Sequence, residues 1–396
     1  MDRESDSASL PARPAPWNDP RIRAIVFQVL VTAGVIAVGI YLVRNLLHNL
    51  EVRGISTGFG FLENRAGFAI NQSLVAYDES SSYGRTFVVG LLNTVLVSAL
   101  GIVLATALGF VVGIARLSRN WLVSLLAAAY IETFRNIPLL LQILFWYFAV
   151  FLNLPPPSEA LAIGDSVFLT LRGLYLPRPV PEAGFAWTAL ALAGGIAAAT
   201  FLARWARKRQ ERTGQRFPAF LACAGIVVAL PLAVFSATGS PLAWVLPELE
   251  GFNFTGGLSV IPELGALLVA LSIYTAAFIA ETVRAGILSV SHGQTEAASA
   301  LGLKRSWTLR LVIIPQAMRV TIPPLTSQYL NLTKNSSLAT AIGYPDLVSL
   351  FAGTTLNQTG QAVEVMAMTM AVYLTLSLLI SLFMNWYNAR MALVER

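Results

Sequence analysis

The chain has 396 residues, 56% of them hydrophobic and only 12% charged, with a mean hydropathy of +0.65. A soluble domain carries roughly 25% charged residues, so these charges are too few to coat a globule in water. A soluble enzyme, a nucleic-acid binder and a disordered scaffold are excluded, and the net charge of +6 reports membrane topology instead.

A membrane-crossing helix needs about 20 mainly apolar residues, which divides the chain. Residues 1–23 read as a polar, proline-rich leader without a cleavage site. Residues 24–43 read as a retained first span, and 44–86 as a linker with an amphipathic piece on the membrane. Residues 87–152 hold a span at 87–114 and a longer apolar stretch at 121–152, interrupted by Glu132, Arg135 and Pro138. The spacing predicts a helix, a break at 136–138 and a second helical piece, together crossing once. Residues 153–258 form an insertion with two spans, 185–203 and 217–237. Residues 259–390 hold spans at 264–285 and 363–386, a loop at 291–320, and a polar run at 326–341 that hydropathy alone would miss.

Charge placement decides the parity. With both termini inside, segments 1–23, 115–120, 204–216, 284–320 and 387–396 hold 19 of the 27 Lys and Arg, and the external loops hold 6. Cationic loops face the cytoplasm. Omitting the polar crossing would put Arg390 and Arg396 outside. The fold predicted is an all-α polytopic membrane protein with about eight transmembrane helices and cytoplasmic termini.

Within the spans, Gly101, Ala105, Gly109 and Gly113 recur at four-residue intervals and put small side chains on one helix face, as Ala276, Ala277 and Ala280 do. Such a face lets two backbones approach closely, within one subunit or at an interface. Intramembrane charges are costly and demand a role. Glu132 with Arg135, and Glu281 with Arg284, are spaced to meet on a helix surface. Lys334 has only Asn331, Thr333, Asn335 and Ser336 for company, which suits a wet cavity; a lysine reaching for headgroups is the plainer alternative. A zwitterionic solute at mid-depth would find acceptors in Glu132, Gln142 and Glu281, and donors in Arg135, Asn331 and Lys334. One cysteine, Cys223, and two distant histidines, His48 and His292, argue against a disulfide or a multi-histidine metal site.

The loop at 291–320 carries the most local information. Thr295 is a good N-cap residue, Glu296 sits at the positive end of the helix dipole, Ala297, Ala298, Ala300 and Leu301 are strong helix formers, and Gly302 suits a left-handed stop. A helix of about two turns is too short to persist alone. It either rests on its own protein or docks a partner. Basic residues follow, then an amphipathic run ending at Pro315.

Glu296-Ala297-Ala298, three residues, Gly302, nine residues and Val312-x-Ile314-Pro315 resemble the EAA loop of ABC-importer permeases, whose pattern ends Ile-x-Leu-Pro. The flanks resemble polar amino acid permeases of the histidine/glutamine type at Glu281-Thr-Val-Arg284-Ala-Gly286, at Glu132-Thr-Phe-Arg135-Asn-Ile-Pro138 with Gln142, and at Asn331-Leu-Thr-Lys334-Asn-Ser-Ser337. The likeness covers about 85–150 and 260–390, the five-helix type I permease core. The extra span and the insertion make the architecture similar to the larger permease of general L-amino acid importers, including the glutamate/glutamine/aspartate/asparagine system. The resemblance implies ATPase coupling through Thr295, Glu296, Ala297, Ala298, Gly302 and Pro315. It also implies a heterodimer with a second permease, a cytoplasmic ATPase dimer that binds ATP and Mg, and a periplasmic amino-acid-binding protein. The setting is the bacterial inner membrane, with lipid around the spans and an amino acid as cargo.

The lysines agree with that division of labour. They follow Arg207, Leu303 and Thr333, so the Gly-Lys of a Walker A motif is missing, and energy comes from another subunit or an ion gradient. An ion-coupled secondary transporter is the alternative; it calls for ion-coordinating carboxylates and a repeated architecture. A membrane enzyme needs a clustered acid, base or nucleophile, and the sequence holds none. The chain is therefore expected to be a non-catalytic permease without its own cofactor or metal.

Overall fold

The computed structural model describes residues 19–391 apart from 53, 55, 56 and 216. Most of the leader at 1–23, with the terminal Arg396, lies outside the described residues. The chain is helical from Pro20, so the first span is longer than hydropathy indicates: α1 runs Pro20–Val52. Its apolar stretch is wholly exposed.

α2 (Tyr83–Arg116) starts at the Ser82 N-cap, whose side chain accepts from the Arg85 amide. α3 (Trp121–Asn136) starts at Asn120, whose carboxamide oxygen accepts from the amides of Leu122 and Val123. Pro138 then breaks the chain, because proline has no amide hydrogen and disfavours helix at the residue before it. Ile137 is extended. Helix resumes as α4 (Leu139–Leu144) and continues through a π-helical turn, Phe145–Val150, and a final turn to Asn153. The two arms meet at 105°.

The insertion contains α5 (Phe185–Thr213) and α6 (Ala219–Ala237), which pack on each other. Short strands flank them: β1 (Leu161–Ile163), β2 (Val167–Thr170), β3 (Gly173–Leu176) and β4 (Arg178–Pro181) before, β5 (Leu242–Val245), β6 (Glu248–Glu250), β7 (Asn253–Thr255) and β8 (Leu258–Val260) after. They form an antiparallel sheet in the order β1-β2-β3-β8 and two ribbons, β4-β5 and β6-β7. The β3–β8 and β4–β5 pairings join the two sides of the helix pair. No strand is legible in the sequence here.

α7 (Pro262–Leu288) is the hub of the core, with Ala270, Leu271, Ala276, Ala277, Ile279 and Ala280 fully buried. The small face of α2 packs against it within the subunit. A Cβ on Gly113 would stand 2.7 Å from the Ala280 oxygen, and one on Gly101 would stand 3.2 Å from Leu332 of α10. α8 (His292–Ala300) and α9 (Arg305–Thr308) follow, and a π-helical turn, Leu309–Ile313, leads into α10 (Ile314–Asn335). Pro315 therefore does not end the amphipathic run. It sits in the first turn of α10, where a missing amide hydrogen is tolerated.

Beyond α10 the backbone tightens into a 3-10 segment, Ser336–Ile342, turns at Tyr344-Pro345-Asp346, and passes through a π-helical stretch, Val348–Thr355, into α11 (Leu356–Thr359) and α12 (Ala362–Met391). The turn is pinned to α2. Asn93 donates to the Pro345 carbonyl at 2.9 Å, Tyr344 donates to the Asn93 carbonyl at 3.2 Å, and the Leu347 amide donates to Thr94 at 3.0 Å.

The segment read as a linker is built onto one end of these helices. Phe61 packs between Tyr83 and Phe351, the Gly58 amide donates to Glu364 at 2.6 Å, and Tyr83 donates to Gln358 at 2.8 Å. Its aromatic residues give it apolar area to bury, which a linker lacks.

Among the described residues, six helices are long and apolar enough to cross a membrane, or seven if the bent pair is one span. The six are α1, α2, α5, α6, α7 and α12. α10, which contains most of the polar run at 326–341, is not among them, as expected of a run that hydropathy alone misses.

Candidate functional site

The structure sorts the charged and polar candidates into two levels. Gly113, one turn from the end of α2 at Arg116, touches Ala280 and Val283, whereas Gly101, halfway along α2, touches Leu332. Glu281 thus lies near one end of the core, and Asn331 and Lys334 lie halfway through it. The six candidates do not form one mid-depth cluster.

At the first level Glu281 is committed to Arg284, which donates to its two oxygens at 2.9 and 2.6 Å. Arg135 and Arg116 are within electrostatic reach of the same carboxylate. Arg135 comes from α3 and places its guanidinium 5.1 Å above the Phe278 ring of α7. The pairing of Glu281 with Arg284 is as expected from their spacing. Glu132 and Arg135 do not pair: Glu132 is exposed, and Arg135 turns to α7.

Gln142 is buried, and its amide nitrogen is engaged inside the subunit. Its amide nitrogen donates to the carbonyls of Phe134 and Ile137, both at 3.0 Å. These carbonyls lie at the end of α3, where no further turn supplies donors. Gln142 closes the bend, while its own oxygen is buried without a partner among the described residues.

At the middle level, Pro324, Ser327, Asn331 and Lys334 are exposed along α10 at intervals of three and four residues, hence on one face. The opposite face, with Ile322, Leu325 and Leu332, is buried against α2, α7 and α12. No ion pair to Lys334 is present among the described residues. α10 is therefore amphipathic with its polar side turned away from its own subunit.

α8 lies apart from both levels. It starts at Ser291, not Thr295; Thr295 falls inside the helix, where its carbonyl accepts from Ser299. Four more residues at the start, with His292 bonded to Glu296 at 3.0 Å, account for the difference. Its end is as the sequence predicts: Gly302 has φ +72°, its amide donates to Ser299, and Leu303 donates to the Ala298 carbonyl. This pattern caps a helix with a left-handed residue. Only Ala298 of α8 is buried. Glu296, Ala297 and Gly302 are exposed, and the adjoining Leu301 is 81% exposed. Leu301 is more than the helix former its propensity suggests; the signal for it is an isolated large apolar residue among alanines.

These features describe a membrane-spanning helical subunit whose α10 turns polar residues away from its own core and whose short helix α8 is exposed. A model of the family described as binding-protein-dependent transport system inner membrane component matches residues 101–393, and the chain belongs to that family. The chain is 56% identical to a putative amino-acid ABC transporter permease protein, YhdX, of Escherichia coli (strain K12), over 96% of this chain and 97% of that one. Against the general L-amino acid transport system permease protein AapQ of Rhizobium johnstonii, identity is 51% over 96% of this chain and 94% of that one. Against the glutamate/glutamine/aspartate/asparagine transport system permease protein BztB of Rhodobacter capsulatus it is 45% over 96% of each. Membership makes the chain a multi-pass inner-membrane permease subunit, of a class that works with ATPase and binding-protein partners. The ion-coupled alternative gives way to this assignment.

Proposed function

We propose that this chain is the permease through which polar L-amino acids pass from periplasm to cytoplasm, driven by a separate ATPase. Its cargo is a broad range of polar amino acids or the glutamate, glutamine, aspartate and asparagine set, the substrates for which its relatives are named. The observation that carries the reading is the polar face of α10. Ser327, Asn331 and Lys334 point away from the subunit's own core, and polar groups turned to lipid at mid-membrane are expensive. It is supported if that face lines a cavity completed by a second, different permease.

In this scheme Asn331 and Lys334 meet the solute, and Lys334 attracts its carboxylate. Glu281, Arg284 and Arg135 form a charged cluster nearer the cytoplasm, and Gln142 holds the α3–α4 bend. α8 docks in the ATPase: Leu301 supplies an apolar contact, and Thr295, Glu296, Ala297, Ala298 and Gly302 present a small, smooth surface. Pro315 stands in the first turn of α10, and that helix carries the motion to Asn331 and Lys334. ATP closes the ATPase dimer, the docked helices move, and the permease opens to the binding protein; hydrolysis restores the inward state. ATP and Mg belong to the ATPase. The termini are cytoplasmic, as the cation distribution favours.

Uptake by the complete transporter in proteoliposomes tests the pathway. Lys334→Ala and Asn331→Ala are expected to reduce uptake while the subunits still co-purify; wild-type uptake by both would refute it. Glu296→Lys and Gly302→Asp are expected to abolish ATPase co-purification with insertion intact. Retention of the ATPase by both would remove α8 from the docking role.

A further inference from the structure

α5 is longer than a membrane crossing requires, and its excess is organised. Its 29 residues extend about 43 Å at 1.5 Å per residue, against a hydrocarbon core of about 30 Å. The partner helix α6 has 19 residues, about 28 Å. The contacts fix which end overhangs. Gly195 lies against Ile226 and Val227, Cys223 donates to the Ala199 carbonyl at 3.3 Å, and the Trp205 and Phe217 rings meet at 5.7 Å. Continuing that register puts the start of α6, Ala219, opposite residue 203. Residues 204–213 therefore project as a single helix about 15 Å past α6.

Cations gather on one side of this projection. Arg204, Arg207, Lys208 and Arg212 are exposed and recur at intervals of three, one and four residues, an arc of about 140° at 100° per residue. The side facing α6 carries the buried Gly195, Ala199 and Ala206, so the cations point away from the helix that, among the described residues, packs substantially on α5. Glu211 is the one anion within the arc, and no ion pair engages any of the four cations among the described residues. Arg209 is set apart: its guanidinium lies 5.3 Å over the Trp205 ring and donates to Gln215 at 3.1 Å. Trp205 is 43% exposed, and tryptophan favours the hydrocarbon–headgroup boundary.

We propose that the end of α5 is a binding surface for anionic phospholipid headgroups, with Trp205 at the membrane boundary and Arg204, Arg207, Lys208 and Arg212 on the phosphates. A topology signal needs only cations on the correct side of the membrane. It does not require them to lie on one face of a helix prolonged past its partner. At this height the first three stand in the headgroup layer, and Arg212 stands within a screening length of it. Each cation near an anionic surface strengthens association roughly five-fold. The surface ties the inserted helix pair to the leaflet while the core helices move. It is independent of which amino acid is carried.

The complete transporter in phosphatidylcholine vesicles, doped with brominated phosphatidylglycerol or brominated phosphatidylcholine, reads the contact as quenching of Trp205 fluorescence. The Trp205 component is the difference between wild type and Trp205→Phe. Phosphatidylglycerol should quench it about three-fold more strongly than phosphatidylcholine. That preference should vanish in the Arg204→Gln, Arg207→Gln, Lys208→Gln, Arg212→Gln variant, and in wild type at about 1 M salt. It should persist with lysine at all four positions. Equal quenching of wild type by both lipids, or a preference unaltered by salt and by the glutamines, overturns the proposal. Equal quenching together with loss of the ATPase from the glutamine variant would assign the surface to a protein partner instead.

Discussion

Gly109 of α2 and Ile279 of α7 leave no room for a side chain between their helices. A Cβ at residue 109 would lie 2.6 Å from both the Cβ and Cγ2 of Ile279, and 3.0 Å from the Ala276 carbonyl oxygen. With no hydrophobic force between helices in lipid, this contact rests on close packing. Gly109→Ala should cost about 1–3 kcal/mol as the helices are forced apart, and Gly109→Val more. Thermal unfolding of the purified subunit in detergent measures it. An unchanged midpoint for both variants would show that α2 and α7 separate freely here.

Gln142 predicts a contrast between two substitutions. Gln142→Leu keeps the volume but leaves the carbonyls of Phe134 and Ile137 without their donor, at about 1–3 kcal/mol. Gln142→Glu sets an acceptor against two acceptors and should be worse unless it takes up a proton. Faster hydrogen exchange around 134–142 reads the loosened bend. If exchange there matches wild type, the glutamine does not hold the bend.

The Glu281–Arg284 pair is about one-third exposed on both sides, so its loss should cost less than about 1 kcal/mol of stability. Glu281→Gln and Arg284→Lys are therefore expected to insert and assemble normally while uptake falls, since lysine cannot reproduce the two-pronged contact. Quantitative uptake normalised to membrane-inserted protein is the measurement. Wild-type rates for both would make the pair purely structural.

At Gly302 the backbone stands at φ +72°, where asparagine is tolerated and β-branched residues are strained. Gly302→Asn should keep most ATPase co-purification, and Gly302→Val should lose it. Equal retention would mean that α8 docks whatever its terminal geometry.

The sequence carried the long apolar helices and the bend at Pro138, because lipid demands unbroken apolar runs and proline interrupts them visibly. It also carried the end of α8, because few residues besides glycine accept a left-handed turn. It did not carry the strands of the insertion. They are three or four residues long, and one of them, Arg178–Pro181, contains two prolines; their pairing joins positions on opposite sides of two whole helices. The Tyr344–Asp346 corner was missed for a similar reason. Its only forecast was Asn93-Thr94, two polar residues inside an apolar helix, whose partners lie far along the chain. Thr295 was misassigned as the N-cap because Ser291, His292 and Gly293 look like loop, whereas the helix already includes His292. The two levels of charge were invisible, since depth depends on which small residues of α2 meet which turns of α7 and α10.

The strand pairs at the base of the insertion give it a property that helices alone would lack. β3 with β8, and β4 with β5, knit the departing and returning chain together before either reaches the helices. The helix pair is thus a detachable leaf on a stitched stem. Severing the covalent link near Gly214 would leave the two halves laced together, and replacing everything between the seams by a short turn would leave the core's own path through the membrane unbroken.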